Sequence, residues 1–250
     1  MYDLPSEFPE EPGLPDVGAS PSRDEYHILQ PQLLARSLSL TAYTRNQWFS
    51  GSDLNLYYDP SHPLWHKRPD WFLAVGVPRL YDGHDLRRSY VVWQEGTAPT
   101  VAVEFLSLGT EASDLGRFYT ANDAIAPNEA AQQQSKDSTP DKLTVYEQFL
   151  QVPHYLVYSR HQQRLRYFQL VEGQYQEQTL NPQRPTVWLA DLGVGLGLWK
   201  GKFEGASGLW LRWCDAQGQW LLTDTEQAQQ QRAARLAQRL RDIGIDPDTE

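Results

Sequence analysis

The chain has little of several things, and each shortage removes a class of explanation. One cysteine, Cys214, stands among 250 residues, so an internal disulfide is excluded and a cysteine-based zinc site is out of reach. Within "LWLRWCDAQG" it reads as a small buried apolar side chain, because nothing nearby in sequence would lower a thiol pKa. No uninterrupted apolar run approaches the roughly 20 residues that a membrane helix needs. The opening "MYDLPSEFPEEPGLPD" is acidic and proline-rich, without the basic start and apolar centre of a secretion signal. A cytoplasmic protein with no membrane partner is the expectation.

Positive charge is also short. Lys and Arg number 22 against 32 Asp and Glu, a net charge of −10, which argues against a surface that is cationic throughout. Screening limits the reach of each charge to about 8 Å in physiological salt, so local groups count for more than the total. The acids gather in residues 1–25 and 242–250, leaving Lys67, Arg68, Arg79, Arg87 and Arg88 as local basic groups between them.

What is present is enough apolar residue, 40% of the chain, for one main domain with a sizeable core. Residues 1–24 read as an extended or disordered arm, 25–222 as the main domain, and 223–250 as a C-terminal helix and tail. The segment "FSGSDLNLYYDPSHPLWHKRPD" is rich in turn formers and aromatics and predicts irregular structure or short strands. Four strand-like runs follow: Trp71 to Val77, Ser89 to Gln94, Thr100 to Ser107 and Tyr155 to Ser159. "TVAVEFLS" is apolar apart from Glu104, the pattern of a central strand buried on both faces.

Between the last two runs, Pro140 can start a helix in which Leu143, Tyr146, Phe149 and Leu150 recur at helical spacing, which predicts a crossover helix from about Pro140 to Gln151. "LVYSRHQQRLRYFQL" and "GQYQEQTL" predict an antiparallel meander, in which Tyr155, Tyr158 and Tyr167 would pack. The fold class is therefore α/β, a mixed sheet flanked by helices, with an antiparallel extension and a C-terminal helix. That last helix has a capping-box signature at "TDTE", Thr223 to Glu226, and a stop at Gly244. Its stripe of Leu236, Leu240 and Ile243 is narrow enough to dock on its own domain or on a second copy, which brings a homodimer into the reading.

Two acids stand out. In "RPDWFLAVGVPR", Asp70 sits at the mouth of an apolar strand, and Glu104 lies inside another, where a lone carboxylate costs several kcal/mol unless paired. One reading of Glu104 is a strand-end acid bonded to backbone amides or an arginine. The other brings it beside Asp70, where two carboxylates repel unless a divalent cation lies between them. Two carboxylates with waters and a substrate phosphate suit Mg²⁺. Phosphodiester hydrolysis also needs an activated water and positive charge, and Lys142, in the first turn of the crossover helix, could reach the same strand ends.

Taken in order, "RPDWFLAVGVP", "PTVAVEFLSLGTEASD" and "DKLTVYEQFLQVPHYLVYSR" resemble the Uma-type restriction endonuclease family, within the PD-(D/E)xK nuclease superfamily. The likeness spans roughly residues 40–200. It implies a restriction-endonuclease-like core with Asp70 as the motif aspartate and Glu104 as the second acid. The superfamily commonly places a lysine two residues after that acid, where this chain has Leu106. In this group the lysine comes from the following helix, and Lys142 matches that place. Asp114 and Ser107 match other recurrent positions without a role attached. The resemblance thus implies a metal-dependent endonuclease acting on nucleic acid, DNA before RNA. Asp70, Glu104 and the carbonyl of Phe105 would hold Mg²⁺ (or Mn²⁺), and Lys142 would serve the attacking water or the transition state.

Leu106 and the net charge also support a second reading, a nuclease-like module that binds nucleic acid or protein without cutting. Two weaker signals carry less. The glycines of "GVGLGLWKG" lack the strand-before, helix-after context of a dinucleotide loop, and Pro60 and Pro63 break any helix that would align His62 with His66 as metal ligands.

Overall fold

The computed structural model describes residues 25–107, 109–125, 139–243 and 245–246, so the expected N-terminal arm and the stop at Gly244 lie outside the described residues. Helix α1 (Tyr26–Ser37) comes first, followed by β1 (Trp48–Gly51), β2 (Leu56–Tyr57), β3 (His66–Lys67), β4 (Trp71–Val75) and β5 (Tyr90–Val91). Helix α2 (Val92–Glu95) leads to β6 (Val101–Phe105). The crossover then carries α3 (Glu111–Leu115) and α4 (Lys142–Thr144), the latter widening into a π-helix over Val145–Phe149. Strands β7 (His154–Ser159), β8 (Arg164–Val171), β9 (Gln174–Gln178), β10 (Thr186–Leu189), β11 (Val194–Phe203) and β12 (Ala206–Cys214) precede α5 (Asp224–Asp242).

The main sheet has the order β1-β4-β6-β7-β8-β9. β6 and β7 run parallel, as a crossover through helices requires, and their outer neighbours pair antiparallel. The expected meander is β7-β8-β9. Strands β10, β11 and β12 form a second, antiparallel sheet, and β3, β2 and β5 a third.

Side-chain alternation divides the core in two. Val101, Val103 and Phe105 of β6, with Trp71 and Leu73 of β4, face α1 and the second sheet, where Leu33, Leu34, Leu211 and Trp213 pack. Phe72, Ala74 and Ala102 face the other way, onto Leu143, Tyr146, Tyr155 and Phe168. Asp70 and Glu104 share the parity of this second face. All five residues of β6 are buried, as a central strand demands.

Several expectations need correction. The run Ser89 to Gln94 is strand only at Tyr90–Val91; the chain then turns through α2 and ends on Gly96 at φ 72°, a left-handed position that glycine takes without strain. The crossover helix starts at Lys142, not Pro140, because the side chain of Asp141 caps it by accepting from the Thr144 amide. It finishes at Phe149, before Gln151 at φ 48°. Helix α1 was not legible as a helix, although Tyr26, Gln30, Leu33, Leu34 and Ser37 fall on one buried face around Pro31.

The glycine-rich stretch is strand β11, where a Cβ at Gly195 or Gly197 would lie 2.6 Å from Cys214 Sγ or Thr186 Oγ1. His62 stacks on Trp65 with ring centroids 3.8 Å apart and meets Asp59 at 2.7 Å, while His66 Nδ1 turns to the Leu64 carbonyl, so the two histidines do not converge on a metal. Cys214 is buried. Among the described residues no helix is long and apolar enough to cross a membrane.

Candidate active site

Asp70 precedes β4, and extending the β4/β6 register, in which Trp71 faces Val103, by one step sets Asp70 opposite Glu104. The two are then tied by backbone amides. The Asp70 N–H donates to Glu104 Oε2 at 3.3 Å, and the Phe105 N–H donates to Asp70 Oδ2 at 2.7 Å. Both acids are buried, Glu104 completely.

Lys142 reaches the pair from the first turn of α4. Its Nζ donates to Glu104 Oε2 at 2.7 Å and stands 3.1 Å from Asp114 Oδ1, an ion-pair contact that lacks the alignment of a hydrogen bond. One turn on, Tyr146 donates its hydroxyl to Glu104 Oε1 at 2.6 Å. Asp114, on α3, is held in turn by its carbonyl, which accepts from the Tyr155 hydroxyl at 2.7 Å. The widened turn after Thr144 keeps Tyr146 on the same side as Lys142, a local departure of the kind that recurs at functional sites.

Burial is the largest influence on these groups. It pushes Glu104 well above the usual carboxylate range; Lys142 pulls the other way without prevailing, and the charges of Asp70 and Asp114 add to the rise. Asp114 is raised for the same reason, burial against Lys142. Burial works to lower Lys142, but Asp114, Glu104 and Asp70 outweigh it and hold the ammonium above its ordinary value. Tyr146 is raised by burial and by the charge of Glu104, which keeps its hydroxyl a donor.

Three carboxylates therefore surround one ammonium. If all ionise, the cluster carries excess negative charge in a buried place, which is relieved by a proton or by a second cation. The donors are hard oxygens, which fits Mg²⁺ or Mn²⁺. Among the described residues no three His, Cys, Asp or Glu side chains converge as a ready-made ion cage, so a cation here would rely on two carboxylates, a carbonyl and water, as Mg²⁺ commonly does. The carbonyl of Phe105 lies 3.1 Å from His27 Nε2, and its second lone pair leaves it able to serve a cation as well.

The structure thus brings Asp70, Glu104, Lys142 and Phe105 together. Tyr146 was missed as a polar participant, although its place four residues after Lys142 puts both on one helical face. Asp114 had no role in the sequence reading, and its contact with Lys142 supplies one. His27 had no signal, because α1 itself had none. Of the local basic groups, Arg87 is buried against Glu95 at 2.7 Å and Arg68 pairs with Asp53 at 2.9 Å.

No curated protein and no solved structure matches the chain. The α/β architecture, with its mixed sheet and C-terminal helix, is consistent with a restriction-endonuclease-like fold. A family model described as "Putative restriction endonuclease" matches residues 17–199, a span that holds every residue of the acid and lysine cluster, and on that match the chain belongs to the Uma2 family.

Proposed function

We propose that the protein is a Mg²⁺-dependent endonuclease of the PD-(D/E)xK type that hydrolyses phosphodiester bonds in DNA. The observation that carries this reading is the Lys142 ammonium held between Glu104 and Asp114, with Asp70 across the strand pair. Asp70, Glu104 and the Phe105 carbonyl would hold the metal, which supplies an activated water and neutralises charge on the phosphate. Lys142 keeps its proton because three carboxylates surround it, and it offers a fixed positive charge to the attacking water or to the phosphorane-like transition state. Asp114 aims the lysine, and Tyr146 fixes the rotation of the Glu104 carboxylate.

Supercoiled DNA incubated with Mg²⁺ or Mn²⁺ is expected to be nicked by the wild type and left intact by Glu104→Ala. Absence of cleavage on DNA and RNA at every metal concentration would overturn the assignment. The second reading, a module that binds without cutting, draws on Leu106 at the usual lysine place and on the net charge of −10. Calorimetric titration with Mg²⁺ separates them, since a binding module would give no heat. A second copy of the chain is the proposed partner of α5, which has no buried residue and leaves Leu236 and Ile243 exposed.

A further inference from the structure

In a chain of net charge −10, helix α5 carries Arg232, Arg235, Arg239 and Arg241 with no acid between Glu226 and Asp242. Arg232, Arg235 and Arg239, spaced by three and four residues, lie on one helical face. All three are exposed, and among the described residues none has an acid partner. Arg235 Nε donates to the Gln231 carbonyl one turn back, at 3.3 Å, which leaves its charge unopposed. Elsewhere Arg68, Arg87, Arg117, Arg166 and Arg212 each meet an acid: Asp53, Glu95, Glu147, Glu177 and Glu226.

The helix holds that face on a fixed base. Arg36 pairs with Asp224, Arg212 pairs with Glu226, and Thr223 closes the capping box. None of the 19 residues that follow Thr223 in α5 is buried. At a rise of 1.5 Å per residue the helix is about 28 Å long. Pairing with a second copy through Leu236, Leu240 and Ile243 would not neutralise the arginines. The positions flanking that stripe on its other side are Gln230 and Ala237, which offer no charge to Arg232 and Arg239 of a facing helix. A dimer would therefore carry two such faces.

Phosphate is the partner that this charge fits. The cluster that would cut a phosphodiester is itself negative, three carboxylates around one ammonium, so attraction for a polyanion has to come from another part of the chain. A membrane surface is a poorer match, because α5 has no aromatic residue and only a narrow apolar stripe. Resting on the nuclease reading above, we propose that the Arg232, Arg235 and Arg239 face of α5 docks the phosphate backbone of nucleic acid and holds the substrate on the protein. A guanidinium suits phosphate because it donates two parallel N–H bonds. Contacts of this kind supply affinity and orientation, not base choice.

The test measures binding of a duplex DNA oligonucleotide to the full chain by fluorescence anisotropy, in metal-free buffer over a range of salt concentrations. Combining Arg232→Gln, Arg235→Gln and Arg239→Gln keeps good helix formers in a helix with no buried residue. That variant is expected to bind about tenfold or more weakly at low salt, and the slope of log affinity against log salt should fall by about 3 for each helix engaged. Lysine at the same three positions is expected to restore both. Mass in solution should not change, which separates the loss from any effect on pairing of α5. Polyglutamate, a polyanion without phosphate, is expected to compete about tenfold or more weakly than DNA. A wild type that binds no DNA, or a glutamine variant with unchanged affinity and slope, would overturn the proposal. So would polyglutamate that competes as well as DNA, which would give the face to an acidic protein. Because no cleavage is read, DNA held by α5 without nuclease activity defeats only the earlier reading, and cleavage with an unaffected glutamine variant defeats only this one.

Discussion

The Nζ of Lys142 lies 2.7 Å from Oε2 of Glu104, although the two are 38 residues apart and the usual lysine place, two residues after the acid, holds a buried Leu106. The ammonium arrives from a helix that packs on the face where Glu104 points. A lysine at position 106 would share that parity, but Leu106 is packed into the apolar cluster of this face, with Leu143 and Tyr146 among its members.

Removing the ammonium should cost both stability and turnover. Lys142→Met keeps the stem but leaves Glu104 and Asp114 without their cation, and breaking a buried pair of this kind costs about 3–5 kcal/mol. Urea denaturation is expected to show that loss at pH 8 and a smaller one at pH 5, where protonation relieves the carboxylates. Cleavage is expected to fall about 100-fold or more. A variant as stable as the wild type at pH 8 would contradict the ion-pair account.

Glu104→Gln probes the cost of burying the charge. The folded value of Glu104 stands well above its ordinary 4.5, so its stabilising contribution is complete below that value and is lost as pH rises through the folded one. In metal-free buffer, wild-type stability is expected to decline above about pH 5 while the variant stays flatter. Parallel profiles of thermal midpoint against pH would show that Glu104 is not the group responsible.

Tyr146→Phe deletes a hydrogen bond of 2.6 Å to the same carboxylate. Losing a donor disfavours the charged form, so the Glu104 pKa rises further, and the acid limb of the cleavage profile should move to higher pH. An unmoved limb, with only a lower melting temperature, would reduce Tyr146 to packing.

Asp70→Asn keeps the shape of the side chain and its place at the Phe105 amide. Calorimetry should show Mg²⁺ binding in the wild type and none in this variant. Metal binding of equal strength in both would remove Asp70 from the ligand set.

Deleting residues 225–250 is expected to convert a dimer into a monomer, read as mass in solution, because the Leu236 and Ile243 stripe of α5 finds no cover on the described domain. A monomeric full-length chain would remove the second copy as the partner of this helix.

Much of this arrangement was legible in the order of residues. The unbroken apolar run around Glu104 announced a central strand with a misplaced acid, and the Thr223 to Glu226 box appears as read, with Thr223 Oγ1 accepting from the Glu226 amide at 3.2 Å. Such signals survive translation into structure because they depend on neighbours within one turn or on strand alternation. The shortened β5 and the unread α1 show the converse, since Val92 to Glu95 and Tyr26 to Ser37 take their conformation from surfaces supplied by distant segments.

By itself, then, the sequence determined which residue types could do hydrolytic chemistry and which strands would carry them, because alternation, caps and prolines act locally. Only the tertiary structure decided that Asp70 lies opposite Glu104, that the cation comes from α4, and that Asp114 and Tyr146 complete the set. Those are matters of register and of how the crossover packs on one face of the sheet. Both are settled by burying the whole apolar surface at once and not by any stretch of chain alone.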